Sequence, residues 1–191
     1  METDQALPRP RERIVSTARE LFHRRGIRAV SVDTIAEVAG TNKTTLYRHF
    51  ASKDDLIMEC LRSRAEEARG SWVEIEASNP EDGLAQLRFW VVRVAKRLAD
   101  DGRGCEFSNA AVELTEEDHP ARQFIVDFKI EYRDWLAKIC RRAGVARAEL
   151  SADTLAILLD GVRSSRLSVG PQGPSAQFQA MAEAVIESFG R

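Results

Sequence analysis

Apolar residues recur at intervals of three and four positions along most of this 191-residue chain. At the front this spacing is followed by Ile14, Ala18, Leu21 and Phe22. Residues spaced in this way lie on one face of an α-helix, whereas strict alternation would indicate a half-buried strand. No convincing strand pattern, internal repeat or low-complexity tract is present. With 43% hydrophobic residues, the chain has enough apolar side chains for a core, and the pattern predicts an all-α fold of about nine helices.

Glycine and capping residues divide the front of the chain into three short helices. Gly26 is predicted to end the first helix, as a C-terminal glycine does, and Ser31 to cap the second. Residues 39–42, Ala-Gly-Thr-Asn, are typical of a tight turn, with the threonine capping the third helix. Ser52 begins a capping-box pattern that opens a fourth helix. Two short helices joined by a glycine-containing turn predict a helix-turn-helix, whose second helix enters the major groove of DNA.

The charge of the chain is distributed unevenly between this front segment and the rest. Residues 9–53 contain ten Lys/Arg and four Asp/Glu, a net charge of +6, and residues 54–191 contain 18 and 24, a net charge of −6. A basic segment attached to an acidic body indicates a nucleic-acid-binding domain followed by a domain with another role. We therefore predict a DNA-binding domain over residues 9–55 and a second domain over residues 56–191.

The third helix carries the side chains that a groove-reading helix requires. Leu46 and Phe50, four residues apart, are expected to anchor it on the domain core. Its remaining side chains can donate to phosphate oxygens or base edges; they are Lys43, Thr44, Thr45, Tyr47, Arg48 and His49. Taken alone, the same residues also suit the solvated face of an ordinary small helix, or a front end that binds a protein partner.

The segment from Arg11 to Ile57 resembles the DNA-binding domain of the TetR/AcrR family of bacterial transcriptional regulators. The similarity covers about a quarter of the chain, and its motifs are dense and specific. They are A-x-x-L-F ending at Phe22, Gly26, T-I-A-x-x-A-G over 34–40, and T-L-Y-R-H-F-x-S-K-x-x-L over 45–56. Beyond this segment only the number and order of helices are similar.

The resemblance implies a dimeric regulator, usually a repressor, whose C-terminal domain binds a small molecule and changes the spacing of two DNA-reading heads. A two-fold dimer implies an inverted-repeat operator in double-stranded DNA. The DNA contacts implied by the family fall on Thr34, Lys43, Thr44, Thr45, Tyr47, Arg48, His49 and Lys53. Residues 43–45 are best placed for bases, while Tyr47, His49 and Lys53 suit phosphates and Arg48 suits either.

The acidic body is predicted to be a helical bundle that contains the effector site and the dimerisation surface. Most of its aromatic residues, at helical spacing, are expected in the core. Positions where apolar and polar residues mix are the candidates for lining a ligand cavity between helices. These candidates are Trp90, Phe107, Asn109, Glu113, Phe128 and Arg163.

Cys105 raises an alternative sensing mechanism. It stands beside Arg103 at the predicted start of a short helix, and both features favour the reactive thiolate. The family resemblance extends to its Gly-Cys-x-x-x-Asn segment. Oxidant or electrophile sensing at Cys105 is therefore one hypothesis, and a small buried residue that packs tightly is the other.

The last two helices carry apolar stripes that suit a four-helix interface between two copies of the chain. The stripes are Leu155, Leu158, Leu159 and Val162 on one helix and Phe178, Met181, Val185 and Phe189 on the other. The alternative is that both stripes only cover the core of their own chain.

Several other classes of function are disfavoured by what the sequence lacks. No nucleophile–base motif or glycine-rich phosphate loop is present, which disfavours a helical enzyme. The three cysteines and three histidines show no metal-ligand spacing, and we expect no cofactor or metal. The N-terminus carries Glu2 and Asp4 and lacks an apolar signal core, and no stretch is long enough to cross a membrane. A cytoplasmic location is the expectation.

Overall fold

The computed structural model describes residues 9–189, and within that range it contains nine α-helices, one short 3-10 helix and no strand. The all-α prediction is confirmed. The helices are α1 Pro10–Arg25, α2 Val32–Val38, α3 Lys43–His49, α4 Lys53–Ser78, α5 Gly83–Asp100, α6 Glu106–Glu113, α7 Pro120–Arg142, α8 Ala148–Val169 and α9 Phe178–Ser188; the 3-10 helix is Pro174–Gln177. Glu2 and Asp4 lie outside the described residues.

The predicted boundaries of the front helices are confirmed with one correction. Gly26 ends α1 with a φ of 87°, a backbone angle that glycine adopts without strain. The Ser31 Oγ accepts a hydrogen bond from the Thr34 amide at 3.1 Å and caps α2. The prediction of Thr41 as the cap of α3 is wrong. Asn42 is the cap because its extended backbone lets Oδ1 accept from the Thr45 amide at 2.8 Å.

The connection between α4 and α5 contains two residues of types that cap helices well, Asn79 and Asp82. Asn79 ends α4, and Asp82 caps α5 by accepting a hydrogen bond from the Ala85 amide at 2.9 Å. The first residue of α5, Gly83, lies against the end of α7, where an added Cβ would stand 2.3 Å from the Arg142 carbonyl carbon. Tertiary contact therefore sets the start of α5.

Helix α4 joins the two parts of the molecule. Its first half packs on α1, and its second half packs on α5 and α7. Leu56 and Ile57 are buried in the front part, and Trp72 and Ile75 in the body. The predicted division after residue 55 falls in the first turn of this 26-residue helix, so one continuous helix connects the body to the front part.

The body is a bundle in which α5, α7, α8 and α9 pack on one another. Four of the eight residues in the predicted stripes on the last two helices are buried, and the other four are half-buried. Leu155, Leu159, Val162 and Phe178 are 4% exposed or less and cover their own core. A further face of α8 lies between this core face and the face that lines the body cavity, with Gly161 exposed and Thr154, Leu158 and Ser165 half-buried.

Among residues 9–189, no helix is long and apolar enough to cross a membrane. No group of three or more His, Cys, Asp or Glu side chains is arranged to hold a metal ion in the same range.

Candidate DNA-binding surface and effector cavity

Helix α3 is fastened on one side and open on the other. Leu46 is 0% exposed and Phe50 is 4% exposed, so the inner face is locked into the front core. Tyr47 is 45% exposed, which is unusual for so large a ring. The other exposed side chains of the outer face are Lys43, Thr44, Arg48 and His49, while Thr45 is half-buried. The outer face therefore gathers most of the predicted DNA contacts on one surface.

The turn before α3 is held by backbone hydrogen bonds as well as by the Asn42 cap. The amide of Gly40 donates to the Glu37 carbonyl at 3.1 Å, and the amide of Thr41 donates to the Ala36 carbonyl at 2.9 Å. Gly40 has a φ of 62°, in the left-handed region that glycine tolerates best. These bonds fix the exit of α2 and the entry of α3, so the helix pair behaves as one unit.

Lys43 is paired with α2 in the absence of DNA. Its Nζ donates to the Asp33 carboxylate at 3.0 Å, and both side chains are exposed. This hydrogen bond and the charge of Asp33 raise the pKa of Lys43. A solvent-exposed pair of this kind is weak, so a phosphate or base edge can take Lys43 from Asp33.

Two other predicted contacts, Thr34 and Lys53, are occupied by internal bonds. The Thr34 hydroxyl lies 2.9 Å from the Ser31 Oγ at the cap of α2. Lys53 Nζ donates to the Ile27 carbonyl at 2.5 Å and lies 5.8 Å from the centre of the Phe22 ring. Partial burial lowers the pKa of Lys53. Lys53 thus ties α4 to the loop after α1, and a phosphate contact from its side chain would break that tie.

A cavity of about 460 Å³ lies inside the body between α4, α5, α6, α7 and α8. One part of its wall is aromatic. Phe128 stacks on Phe107 with ring centres 4.1 Å apart and on Trp72 at 5.9 Å. Trp90 donates a hydrogen bond from Nε1 to the Tyr132 hydroxyl at 3.1 Å. The volume falls in the range of pockets that hold small organic ligands.

The predicted effector-binding residues divide between two places. Trp90, Phe107, Phe128 and Arg163 line the body cavity. Asn109 and Glu113 lie elsewhere, beside a small pocket between α1, α4 and α6. Glu113 accepts a hydrogen bond from the Arg28 amide at 3.0 Å, and Asn109 Nδ2 donates to the Arg103 carbonyl at 2.9 Å. Their polar atoms therefore support loops near the junction.

The geometry of the front part agrees with comparisons to known proteins. The profile of a family described as "Bacterial regulatory proteins, tetR family" matches residues 14–60, which include α2, α3 and the turn between them. The solved structure of SCO4454, a TetR-family transcriptional regulator from Streptomyces coelicolor, superimposes with a TM-score of 0.85 at 25% identity. That superposition covers 95% of this chain and 96% of SCO4454. The chain belongs to the TetR/AcrR family of bacterial transcriptional regulators.

Curated relatives of this TetR/AcrR regulator fall in the same class. The repressor KstR2 of Rhodococcus jostii is 40% identical over 68 residues, which are 36% of this chain and 33% of that protein. The chain thus spans only about a third of that relative. The regulator TtgR of Pseudomonas putida is 27% identical over 171 residues, 82% of this chain and 78% of that protein. The prediction of a regulator rather than an enzyme is confirmed.

Cys105 lies at the wall of the body cavity and caps the start of α6. Its side chain is a free thiol and is 8% exposed. Burial alone would raise its pKa, but the charges of Arg163 and Lys129 and the hydrogen bonds of Ser108 outweigh it and lower the pKa of the thiol. Cys60 and Cys140 contrast with it, since burial raises the pKa of both.

One acidic residue of this regulator touches both the cavity and the DNA-binding part. Glu106, on α6, pairs with Arg64 of the cavity wall at 3.2 Å and with Arg19 of α1 at 3.4 Å. Arg19 also pairs with Glu67 of α4. A second link joins His23 of α1 to Asp101 at 2.9 Å. The front part is therefore held to the cavity wall by charged contacts.

Sequence reasoning missed several side chains of the cavity, among them Arg64, Arg93, Arg97 and Tyr132. A signal existed on α5, where Trp90, Val94, Arg97 and Asp101 follow helical spacing on a single face. This spacing shows which residues share a face, but it does not show that the face borders a cavity.

Proposed function

We propose that this chain is a transcriptional repressor that binds an inverted-repeat operator as a homodimer and is released by a small molecule in the body cavity. The observation that carries the proposal is the outer face of α3, where exposed polar side chains surround Tyr47 on a helix whose inner face is locked by Leu46. A rigid helix with an open, donor-rich face suits insertion in the major groove. Because the operator is chromosomal, we infer that the protein acts in the cytoplasm.

The contacts divide by position along α3. Lys43, Thr44 and Thr45 stand in its first turn, and recognition helices commonly contact base edges with their N-terminal residues. Tyr47 and His49 are assigned to phosphates, and Arg48 to either. Thr34 and Lys53 complete the proposed set, with Lys53 exchanging its bond to the Ile27 carbonyl for a phosphate.

The face of α8 between its core face and the cavity supports the dimer. Its four residues, Thr154, Leu158, Gly161 and Ser165, are small or apolar, and α8 packs beside α9. On α9 the open or half-buried residues are Ala180, Met181, Ala184 and Val185. Two copies of α8 and α9 can pack closely through such small residues as a four-helix interface. Gly161→Arg, which adds bulk where no atom lies within 4 Å, is expected to halve the mass measured by light scattering; an unchanged mass would reject this interface.

Glu106 supports the proposed release. A ligand at the cavity wall that draws Arg64 towards itself removes one partner of Glu106 and alters its contact with Arg19 on α1. Two copies displaced in this way would change the spacing of their α3 helices, which must match the operator half-sites.

Modification of Cys105 is the alternative sensing mechanism. The charges of Arg163 and Lys129 favour its thiolate, the form that reacts with peroxide and electrophiles. Operator release by such reagents should be measured in wild type and in Cys105→Ser. Equal release in both proteins would remove the thiol mechanism, while leaving release by a reversibly bound effector in place.

The experiment for the proposed function is selection of bound genomic DNA fragments, followed by affinity measurements at two salt concentrations. We expect affinity that falls as salt rises, because phosphate contacts release counterions. Arg48→Ala should weaken binding, whereas Lys96→Ala, which removes an exposed cation from α5, should not. Absence of any salt-dependent binding, or equal loss in both variants, would contradict the assigned surface.

A further inference from the structure

The cavity in the acidic body has a wall of the opposite charge. Six Lys/Arg and four Asp/Glu side chains line it, a net charge of +2, while residues 54–191 carry a net charge of −6. The acidic side chains of the wall are already engaged. Asp153 pairs with Arg133 at 2.6 Å, Asp160 with Lys129 at 2.8 Å, and Glu106 with Arg64 at 3.2 Å.

Arg97 differs from the other cations of the wall. Each of the others has an acidic partner, including Arg93 with Glu74 at 2.5 Å and Arg163 with Asp160 at 3.8 Å. Across residues 9–189, no hydrogen bond or ion pair joins the Arg97 guanidinium to any acidic group. Partial burial, followed by the charges of Arg64, Arg163 and Arg93, lowers the pKa of Arg97, while the charge of Arg97 also acts on Glu67. Arg97 stays partly open to solvent and makes no direct ion pair with an acid among the described residues.

Two of the six cations, Arg64 and Arg97, lie towards one end of the cavity. Helices α4 and α5 are consecutive, contact one another and are joined by residues 79–82, so they run antiparallel. Arg64 and Arg97 each lie roughly four turns from that connection, and Trp72 and Trp90 roughly two. Arg64 and Arg97 therefore lie closer to α6 than Trp72 and Trp90 do, and Phe107 of α6, stacked on Phe128, extends the aromatic wall towards the arginines.

We infer that the effector of this regulator is an amphipathic organic anion, with its anionic group bound by Arg97 beside Arg64 and Arg163 and its apolar body against Trp72 and Phe128. The inference rests on the proposed function of the cavity as an effector site. A carboxylate or sulfonate accepts two parallel hydrogen bonds from a guanidinium, and planar apolar groups stack on aromatic rings. A neutral ligand of the same shape would leave Arg97 without its counter-ion.

The test compares two fluorescent probes that differ in charge. They are 8-anilino-1-naphthalenesulfonate, which is anionic, and N-phenyl-1-naphthylamine, which has the same ring system without the sulfonate. Full-length wild type, Arg97→Gln and Lys96→Gln are titrated with each probe, and energy transfer from the tryptophans reports binding beside Trp72 and Trp90. Lys96→Gln is the matched control, because Lys96 neighbours Arg97 but does not line the cavity.

We expect wild type to bind the anionic probe about tenfold more tightly than the neutral one, as a charge-assisted hydrogen bond predicts. Arg97→Gln should remove that preference without weakening the neutral probe, and Lys96→Gln should leave both affinities unchanged. Equal affinity of wild type for the two probes overturns the inference. It is equally overturned by an anionic-probe affinity that survives Arg97→Gln, or by a cavity that takes neither probe.

DNA retention, measured on the same preparations, separates this inference from the proposed function. Retention on DNA with no preference for the anionic probe means that the ligand class is wrong and the regulator proposal stands. A preference that depends on Arg97, in a protein that retains no DNA, means that the cavity is an anion site and the regulator proposal fails.

Discussion

Helices α3 and α5 carry similar side chains in opposite surroundings. On α3 the ring of Tyr47 is 45% exposed and stands among exposed cations, whereas on α5 the ring of Trp90 is 2% exposed and stands at the wall of a cavity. In both settings we propose that arginines bind an anion beside an aromatic residue. An open row suits a long polyanion in a groove, and an enclosed set suits one small anion. Burial, rather than residue type, distinguishes the two sites.

The first prediction, which has the largest effect, concerns the close packing of Gly83, the first residue of α5, against the end of α7. An alanine at Gly83 would place its Cβ 2.3 Å from the Arg142 carbonyl carbon and 2.5 Å from the Ala143 nitrogen. Backbone atoms cannot yield as a flexible side chain does, so Gly83→Ala should lower the free energy of unfolding by about 3 kcal/mol. Chemical denaturation measures this loss.

Gly70→Ala is its matched control on an open helix surface. No atom lies within 4 Å of an added Cβ at Gly70 in α4, and alanine is the better helix former, so the free energy of unfolding should rise by about 0.5–1 kcal/mol. If the two variants have equal stability, Gly83 does not pack against the backbone of Arg142 and Ala143 as described.

The second prediction uses the pH dependence of stability to test how deeply the Cys60 thiol is buried. Burial raises the pKa of Cys60 from 9.0 to about 12. Between about pH 9 and pH 11 the unfolded thiol loses its proton while the folded thiol keeps it, so stability falls by up to about 1.4 kcal/mol per pH unit. Cys60→Ala should show a shallower fall over this window than wild type, measured by denaturant titration at each pH. Parallel profiles would mean that Cys60 is not enclosed as described.

The third prediction removes one hydroxyl from each setting. Tyr132→Phe leaves the buried Trp90 Nε1 without its acceptor at 3.1 Å, which should lower the free energy of unfolding by about 1–2 kcal/mol. Its DNA affinity should not change. Tyr47→Phe should do the reverse, with unchanged stability and an operator affinity about tenfold lower, because a phosphate contact is lost. If Tyr132→Phe weakened operator binding and Tyr47→Phe lowered stability instead, the roles given to α3 and α5 would be wrong.

The fourth prediction has the smallest effect and concerns the exposed pair of Lys43 and Asp33. Asp33→Asn removes the charge that competes with DNA for Lys43. Operator affinity should rise by less than about fivefold, as expected for a surface ion pair. Glu37→Gln, which removes another exposed acid from α2 without disturbing an ion pair of Lys43, is the control for the change in net charge. If Glu37→Gln raised operator affinity more than Asp33→Asn did, the ion pair of Asp33 with Lys43 would not compete with DNA.

The front part could be predicted from the sequence because its signals are local. Gly26 and Ser31 act on the backbone of their own turns, so composition and spacing identified them. The start of α5 could not be predicted, since both Asn79 and Asp82 are good capping residues and contact with Arg142 decides between them. The effector cavity is harder still, because Arg64 and Arg97 meet only after α4 and α5 fold back on each other.

Glu106 sets a boundary for redesigning this regulator as a biosensor. Trp72 is proposed to contact the apolar body of the ligand, whereas Glu106 pairs with Arg64 and holds α1 through Arg19. Replacing Trp72 is expected to alter which molecules fit without removing a partner of Glu106. Substitutions chosen to accept a new analyte thus belong at Trp72, and a library that also varies Glu106 would mix changes in recognition with loss of signal transmission.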